Sequence, residues 1–197
     1  MLSILSYVNE SVIPNHSTRY ILTGGPGTGK TEIIKYLSKQ FETIREAATD
    51  IILQEQSDGF MKPWLQLDFD EKIALLQKRR QLEIESKKAQ NVFCDRSPFD
   101  VLTYCLYHKT EPTQQIKAVV QETLSSGFYS HIVFLIEDLG TIVQDHIRPE
   151  SLEESRQIEQ HIDKNYKALG FTVVRIPALS VAERAKMILD HLSLKTD

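Results

Sequence analysis

Residues 24–31 have the types and the spacing needed to bind phosphate. The run Gly24-Gly25-Pro26-Gly27-Thr28-Gly29-Lys30-Thr31 matches G-x-x-x-x-G-K-[ST] at every fixed position. Glycines let backbone N–H groups turn inward around an anion, and the following helix directs the positive end of its dipole to the same place. Lys30 can then reach the β- and γ-phosphates, and the Thr31 hydroxyl can bind Mg²⁺. The motif predicts that residues 25–31 bind a nucleoside triphosphate.

The segments on either side of this loop have the properties that such a loop requires. Residues 20–22 are an apolar run that predicts a strand, and residues 33–37 predict a helix that continues to about Phe41. This strand–loop–helix context distinguishes the motif from a glycine-rich turn that contains a lysine by chance.

Apolar runs of strand length alternate with helical patterns along the rest of the chain. Strands are predicted at residues 43–46, 91–94, 131–136 and 171–176, and helices at 47–56, 68–89, 97–108, 112–125, about 158–169 and 181–192. Short strands buried on both faces are typical of parallel sheets, so we expect a three-layer α/β fold with a mostly parallel five-stranded sheet between helices. Residues 1–18 are predicted to be an N-terminal extension, and residues 19–197 one domain with a lid segment near 137–150.

Charged residues follow the predicted strands, and in such sheets ligands bind at the carboxyl ends of the strands. Asp95 follows a buried run, where a carboxylate can hold Mg²⁺, and Arg96 can bind phosphate oxygens. Glu46 can accept the proton of an acceptor hydroxyl, and Asp50 is a weaker candidate for the same role. The structural alternatives are a helix cap with a surface ion pair, and carboxylates stabilised by a helix dipole.

The polar segment 137–150 predicts a lid that closes over the triphosphate. It contains Asp138, Asp145, His146 and Arg148, of which Arg148 could stabilise charge on the transferred phosphoryl group. Arg156 is the competing candidate, and a solvated loop is the structural alternative.

Two further segments could contact flat rings. Aromatic residues in 60–64 and Phe69 could stack on an acceptor base, although Trp64 could equally pack on the edge of the core. Pro177 begins the loop after the last strand and could border the adenine, whereas the alternative is an ordinary turn in which Ser180 caps the last helix.

Composition limits the classes of function. The net charge of −4 gives no support to nucleic-acid binding, and no apolar stretch approaches the length of a membrane span. The two cysteines, Cys94 and Cys105, do not form a zinc-binding pair and favour a cytoplasmic setting. The sequence therefore predicts a cytoplasmic protein whose partners are ATP and a small molecule, and it indicates no particular protein partner.

Taken in order along residues 20–192, the motifs resemble the AAA-type P-loop domain family related to nicotinamide riboside kinase. The resemblance rests on residues 23–31, Glu46-Ala47-Ala48, Phe93-Cys94-Asp95-Arg96-Ser97 with Asp100, Asp145-His146-Ile147-Arg148, residues 166–171 and Ile176-Pro177. It implies a nucleoside-kinase-like fold that uses Mg²⁺ and ATP, with phosphate and metal bound by Lys30 and Thr31 and with Glu46, Asp95 and Arg96 in the site. Thr49 and Ser97 stand where the family often has arginine and glycine, and Ser97 matches the Asp/Glu-Arg-Ser motif of deoxynucleoside kinases, so the acceptor stays open.

The sequence thus predicts an ATP-dependent kinase that acts on a small, nucleoside-like acceptor with a hydroxyl group. Its expected catalytic residues are Lys30, Glu46, Asp95, Arg96 and Arg148, and its expected metal ligands are Thr31 and Asp95. One alternative is a binding module that is switched by ATP or GTP, although the chain has no Asn-Lys-x-Asp motif for guanine. A mechanochemical AAA+ ATPase is the other alternative, and the length of 197 residues is short for its additional helical domain.

Overall fold

The structure is a computed structural model that describes residues 3–8, 17–141 and 150–195. The strands are β1 (Arg19–Thr23), β2 (Thr43–Ile44), β3 (Val92–Asp95), β4 (Ile132–Ile136) and β5 (Thr172–Ile176). The helices are α1 (Lys30–Leu37), α2 (Ala47–Ser57), α3 (Phe69–Lys87), α4 (Pro98–His108), α5 (Gln114–Ser126), α6 (Leu152–Ala168) and α7 (Val181–His191). Two 3₁₀ turns cover Ile4–Tyr7 and Pro63–Leu65.

The strands form one sheet in the order β2-β3-β1-β4-β5, and every pair of neighbours is parallel. Consecutive residues of β1 pack on opposite faces. Leu22 belongs to the apolar cluster under α1 and α7, whereas Ile21 belongs to the larger cluster under the remaining helices. This arrangement confirms the predicted three-layer α/β fold. Because all neighbouring strands are parallel, their carboxyl ends lie along one edge of the sheet, here called the carboxyl edge.

Helix α1 is shorter than the sequence pattern predicts. It ends at Leu37 instead of near Phe41. The carbonyl oxygen of Leu37 accepts hydrogen bonds from the amides of Gln40 and Phe41, which closes the helix in a tight turn. Phe41 then packs edge-on against Phe93, with 5.3 Å between the ring centroids. The aromatic contact with β3 therefore outweighs the local helical pattern.

The N-terminal residues contribute to the core. Ile4, in the first 3₁₀ turn, is 1% exposed and lies in the larger apolar cluster. The Tyr7 hydroxyl donates to the Glu111 carboxylate at 3.0 Å. The described part of residues 1–18 thus packs on the domain, while the boundary at residue 19 stays a prediction. No helix in the described part of the chain has both the length and the apolar character to cross a membrane.

Candidate functional site

The glycine-rich loop joins β1 to α1 and places Lys30 at the first residue of that helix. The Lys30 ammonium donates to the carbonyl oxygens of Gly24 and Gly25, at 3.1 and 2.6 Å, and to the Thr28 hydroxyl at 3.0 Å. Burial, assisted by the nearby positive charge of Arg96, lowers the pKa of Lys30 to about 7. A phosphate placed in the loop would favour the charged form of this lysine, because an adjacent anion raises the pKa of an ammonium group.

Thr31 and Asp95, the two predicted metal ligands, contact each other at the carboxyl edge. The pairing of β1 with β3 sets Asp95 opposite Leu22, and the Thr31 hydroxyl donates to Asp95 Oδ2 at 3.0 Å. The other carboxylate oxygen, Asp95 Oδ1, is buried without a hydrogen-bond partner. Burial, together with the negative charge of Glu46, raises the pKa of Asp95 to about 6.

This environment fits Mg²⁺. A buried carboxylate oxygen without a donor is costly unless a cation or a proton compensates it, and Mg²⁺ prefers oxygen ligands. The described residues contain no group of three or more His, Cys, Asp or Glu side chains able to hold a metal. Thr31 and Asp95 would therefore hold Mg²⁺ together with phosphate oxygens and water, which is how Mg²⁺ usually binds in phosphoryl-transfer sites.

Glu46 and Arg96 form a buried ion pair next to this group. Arg96 follows β3 with a left-handed backbone (φ 66°), and its Nε donates to Glu46 Oε1 at 2.7 Å. The other oxygen of Glu46 accepts from the Thr49 hydroxyl at 2.7 Å. Burial raises the pKa of Glu46, but the positive charges of Arg96 and Lys30 outweigh that effect and hold the pKa at about 2. Glu46 is therefore a carboxylate at neutral pH.

Asp100 forms a second ion pair with Arg96. Its Oδ1 faces Arg96 Nη1 at 3.4 Å and accepts from the Thr23 hydroxyl. Its Oδ2 accepts from the Ser97 amide at 2.9 Å and from the Tyr166 hydroxyl at 2.6 Å. Asp100 thus links β1, the start of α4 and α6 to Arg96. The sequence places Asp100 in a family motif, but this bridging role depends on tertiary contacts.

Tyr104 and Glu150 complete the surroundings of Arg96 and were not identified from the sequence. Arg96 Nη2 donates to the Tyr104 hydroxyl at 3.3 Å. The Glu150 carboxyl has a buried oxygen without a partner, and burial raises its pKa while the positive charge of Arg96 lowers it. Tyr104 lies one helical turn after Asp100 on α4, so helical periodicity is the signal that could have identified it.

Two other predicted carboxylates, Asp50 and Asp138, form ion pairs with arginines outside this group. The Asp50 carboxylate pairs with Arg80 and, at 3.1 Å, with Arg45. Asp138 pairs with Arg156 at 3.1 Å, so the competing lid arginine is part of a partly exposed ion pair. Asp145, His146 and Arg148 lie outside the described residues.

Both segments predicted to contact flat rings lie within the described residues. Trp64 is partly buried in a 3₁₀ turn, and Phe60 is 55% exposed. Pro177 directly follows β5 and is partly buried, while Ser180 caps α7 by accepting a hydrogen bond from the Glu183 amide. The cap is therefore present, and contact between Pro177 and adenine stays a prediction.

The AAA domain family matches residues 19–184, from the first residue of β1 into α7. The chain belongs to this family. No curated protein matches this AAA domain at the level of sequence.

Solved structures share the fold of this AAA domain at low sequence identity. A NadR protein in complex with NR has a TM-score of 0.66 at 15% identity, and the alignment covers 92% of this chain but only 53% of NadR. Thymidylate kinase from Ehrlichia chaffeensis has a TM-score of 0.58 at 16% identity, with 89% and 98% of the two chains covered. Deoxyadenosine kinase from M. mycoides has a TM-score of 0.52 at 17% identity, with the same coverage. These likenesses establish a P-loop kinase fold.

Proposed function

We propose that this AAA domain is an ATP-dependent kinase that transfers the γ-phosphoryl group to a hydroxyl of a small, nucleoside-like acceptor. The observation that carries the proposal is the contact between Thr31 and Asp95, which leaves one buried carboxylate oxygen free next to Lys30. A hydroxyl, a carboxylate and a lysine at the carboxyl edge are the protein groups that phosphoryl transfer with Mg²⁺ requires.

Each of these groups has a distinct role in the proposed reaction. Lys30 binds the β- and γ-phosphates, and Thr31 and Asp95 hold Mg²⁺. Mg²⁺ held by these two residues would supply positive charge that neutralises the phosphate oxygens during transfer. Arg148 is proposed to add positive charge from the lid segment 137–150.

Glu46 is proposed to orient the acceptor hydroxyl and receive its proton. A carboxylate with a pKa of about 2 is a weak base. In the loose transition state of phosphoryl transfer the attacking hydroxyl forms little bond to phosphorus, so positioning matters more than base strength. The ion pair with Arg96 keeps Glu46 ionised and fixed in place, which suits this positioning role.

The charges near Glu46 favour an acceptor without a phosphate of its own. Arg96 is paired with Glu46 and Asp100, and Arg80 is paired with Asp50. A phosphorylated acceptor would have to compete with these carboxylates for the guanidinium groups. The fold shared with a NadR protein that binds NR and with a deoxyadenosine kinase also supports a nucleoside. Cytoplasmic location and the absence of a nucleic-acid partner stay predictions.

The direct test is phosphoryl transfer from Mg²⁺ and labelled ATP to a panel of nucleosides, including nicotinamide riboside, and to the matching nucleoside monophosphates. We expect a phosphorylated nucleoside with the unmodified chain and none with Lys30→Met. The matched control is Lys35→Met, on the same helix, which removes an exposed lysine that pairs with Glu32.

Two results would contradict the proposal. If Lys30→Met and the unmodified chain transferred the phosphoryl group at equal rates, the glycine-rich motif would have no part in the reaction. Tight binding of ATP or GTP without transfer to any acceptor would favour the nucleotide-switched binding module instead.

A further inference from the structure

Two carbonyl groups of the glycine-rich loop are held from outside the loop by helices that are distant in sequence. The Ser155 hydroxyl, on α6, donates to the Pro26 carbonyl oxygen at 2.8 Å. The guanidinium Nη1 of Arg184, on α7, donates to the Thr28 carbonyl oxygen at 2.7 Å. Both donor residues are buried: Ser155 is 1% exposed and Arg184 is 2% exposed. The two contacts hold alternate peptide groups of the loop.

The direction of these carbonyl groups determines the direction of the neighbouring amides. The described residues contain no cis peptide bond, and in a trans peptide the C=O and N–H groups point in opposite directions. With the Pro26 carbonyl directed at α6, the Gly27 N–H points away from that helix. With the Thr28 carbonyl directed at α7, the Gly29 N–H points away from α7. Both amides are therefore fixed in direction before any anion binds.

Among the residues that the structure describes, Arg184 is a buried cation without a counter-ion. Within residues 3–8, 17–141 and 150–195 no carboxylate forms an ion pair with it, and its Nε has no acceptor. Burial alone lowers the pKa of this guanidinium from its ordinary value. A buried charge that lacks a counter-ion costs stability, so Arg184 is a candidate for a role beyond packing.

The guanidinium group lies directly against the loop. A Cβ atom added to Gly29 would approach Arg184 Nη2 to 3.0 Å, at a position where the backbone already has φ +82°. The positive charge is therefore separated from the anion-binding side of the loop by a single peptide unit. At such short range, and away from solvent, a positive charge attracts phosphate with little screening.

We propose that Arg184 is a positioning residue for the triphosphate, which orients the Thr28–Gly29 peptide and supplies a buried positive charge on the side of that peptide facing α7. The inference rests on the proposed function, because it assumes that the loop binds a nucleotide. Ser155 holds the Pro26–Gly27 peptide in the same way but without a charge. A purely structural tie between α7 and the loop is the competing explanation, and the sign of the stability change separates the two.

The test compares three variants by titration calorimetry with Mg²⁺ and ATP and by thermal unfolding. Arg184→Met removes both the charge and the donor, and we expect ATP binding at least tenfold weaker, in line with a lost hydrogen bond to a charged group. Arg184→Lys keeps a charge and a donor, and we expect it to bind within about threefold of the unmodified chain. Lys186→Met is the control, because Lys186 lies on the same helix in an exposed ion pair with Asp190.

Thermal unfolding then distinguishes positioning from structural support. Removal of a buried charge that has no counter-ion among the described residues should offset the loss of its hydrogen bond to the Thr28 carbonyl oxygen. The unfolding midpoint of Arg184→Met should therefore stay close to that of the unmodified chain or rise, whereas loss of a structural tie should lower it. The inference is overturned if Arg184→Met binds ATP as tightly as the unmodified chain, or if its midpoint falls by several degrees. If the unmodified chain itself binds no ATP, the proposed function fails first and this inference fails with it.

Discussion

Replacement of Asp100 by asparagine tests the buried network that holds Arg96. The change keeps the shape of the side chain but replaces one acceptor oxygen by an NH₂ group. If the NH₂ group takes the Oδ1 side it faces Arg96 Nη1, and if it takes the Oδ2 side it faces the Ser97 amide. Neither of these groups can accept a hydrogen bond, so one pair of donors is left opposed in either orientation.

The cost follows from the contacts that are lost. A hydrogen bond to a charged group contributes about 1.5–3 kcal/mol, and removal of one partner of a buried ion pair costs about 3–5 kcal/mol. Glu46 still pairs with Arg96 in the variant, so we place the loss of unfolding free energy near the lower end, at about 3 kcal/mol. For a domain of this size, that loss corresponds to a fall of roughly 6–12 °C in the thermal midpoint.

Urea and thermal unfolding at pH 7, followed by circular dichroism, measure both quantities. The matched control is Asp190→Asn, which removes the charge of an aspartate in a pair whose two side chains are 74% and 61% exposed. The control should change the unfolding free energy by less than about 0.5 kcal/mol. A loss below about 1 kcal/mol for Asp100→Asn would refute the reasoning, because the network would then tolerate an opposed donor pair.

Three further substitutions test the loop, the metal site and the acceptor carboxylate. Thr31→Val removes the hydroxyl beside Asp95, so the Mg²⁺ concentration for half-maximal transfer should rise at least about tenfold, and Thr31→Ser should restore it. Gly25→Ala places a Cβ 2.5 Å from the Ser155 carbonyl oxygen, so calorimetry should show ATP binding weakened at least about tenfold, and unchanged binding would contradict this overlap. Glu46→Gln should lower the transfer rate about 100-fold while ATP affinity stays within about threefold, and an unchanged rate would exclude Glu46 from the reaction.

The sequence predicts the elements that depend on local pattern. Four of the five strands contain an apolar run, whereas β2 has two residues instead of the four predicted at 43–46. Most predicted helices appear with shifts of a few residues at their ends, but α6 begins at Leu152, before the predicted start at about 158. The glycine-rich loop is predicted because its motif is contiguous and its flanking elements have matching periodicity. The early end of α1 is missed because it depends on the contact between Phe41 and Phe93, which are 52 positions apart in sequence.

The candidate site is predictable only in part, since its members come together through tertiary contacts. Glu46 and Arg96 can be placed at strand ends from the sequence, because parallel strands end at one edge. Their direct ion pair joins residues 50 positions apart, and no local pattern specifies it. Asp100 is a helix-capping residue in the local pattern, and its contact with Tyr166 spans 66 positions.

Arg184 was not identified from the sequence, although the sequence contains a signal for it. It lies three residues after Val181 and four before Ile188, so helical spacing places a charged side chain on the apolar face of α7. Such a position is unfavourable unless the charge meets a partner, and the partner here is a backbone carbonyl 156 positions away. An arginine on the apolar face of a helix therefore indicates a specific contact, even where the sequence does not show with what.

The glycines of the loop are required by contacts with neighbouring elements of the fold as well as by phosphate binding. Gly25 occupies a position that the motif leaves free, yet a Cβ there would overlap Ser155 on α6. A Cβ at Gly24 would likewise overlap the carbonyl oxygen of Ile136, at the end of β4. A Cβ at Gly29 would approach Arg184 Nη2 to 3.0 Å.

The close approach of β4, α6 and α7 therefore restricts the side chains that the loop can carry. The approach of α6 and α7 also brings the two donors, Ser155 and Arg184, that hold carbonyl groups of the loop. The rigidity that a phosphate-binding loop needs is in this domain a property of its neighbours as well as of its own sequence.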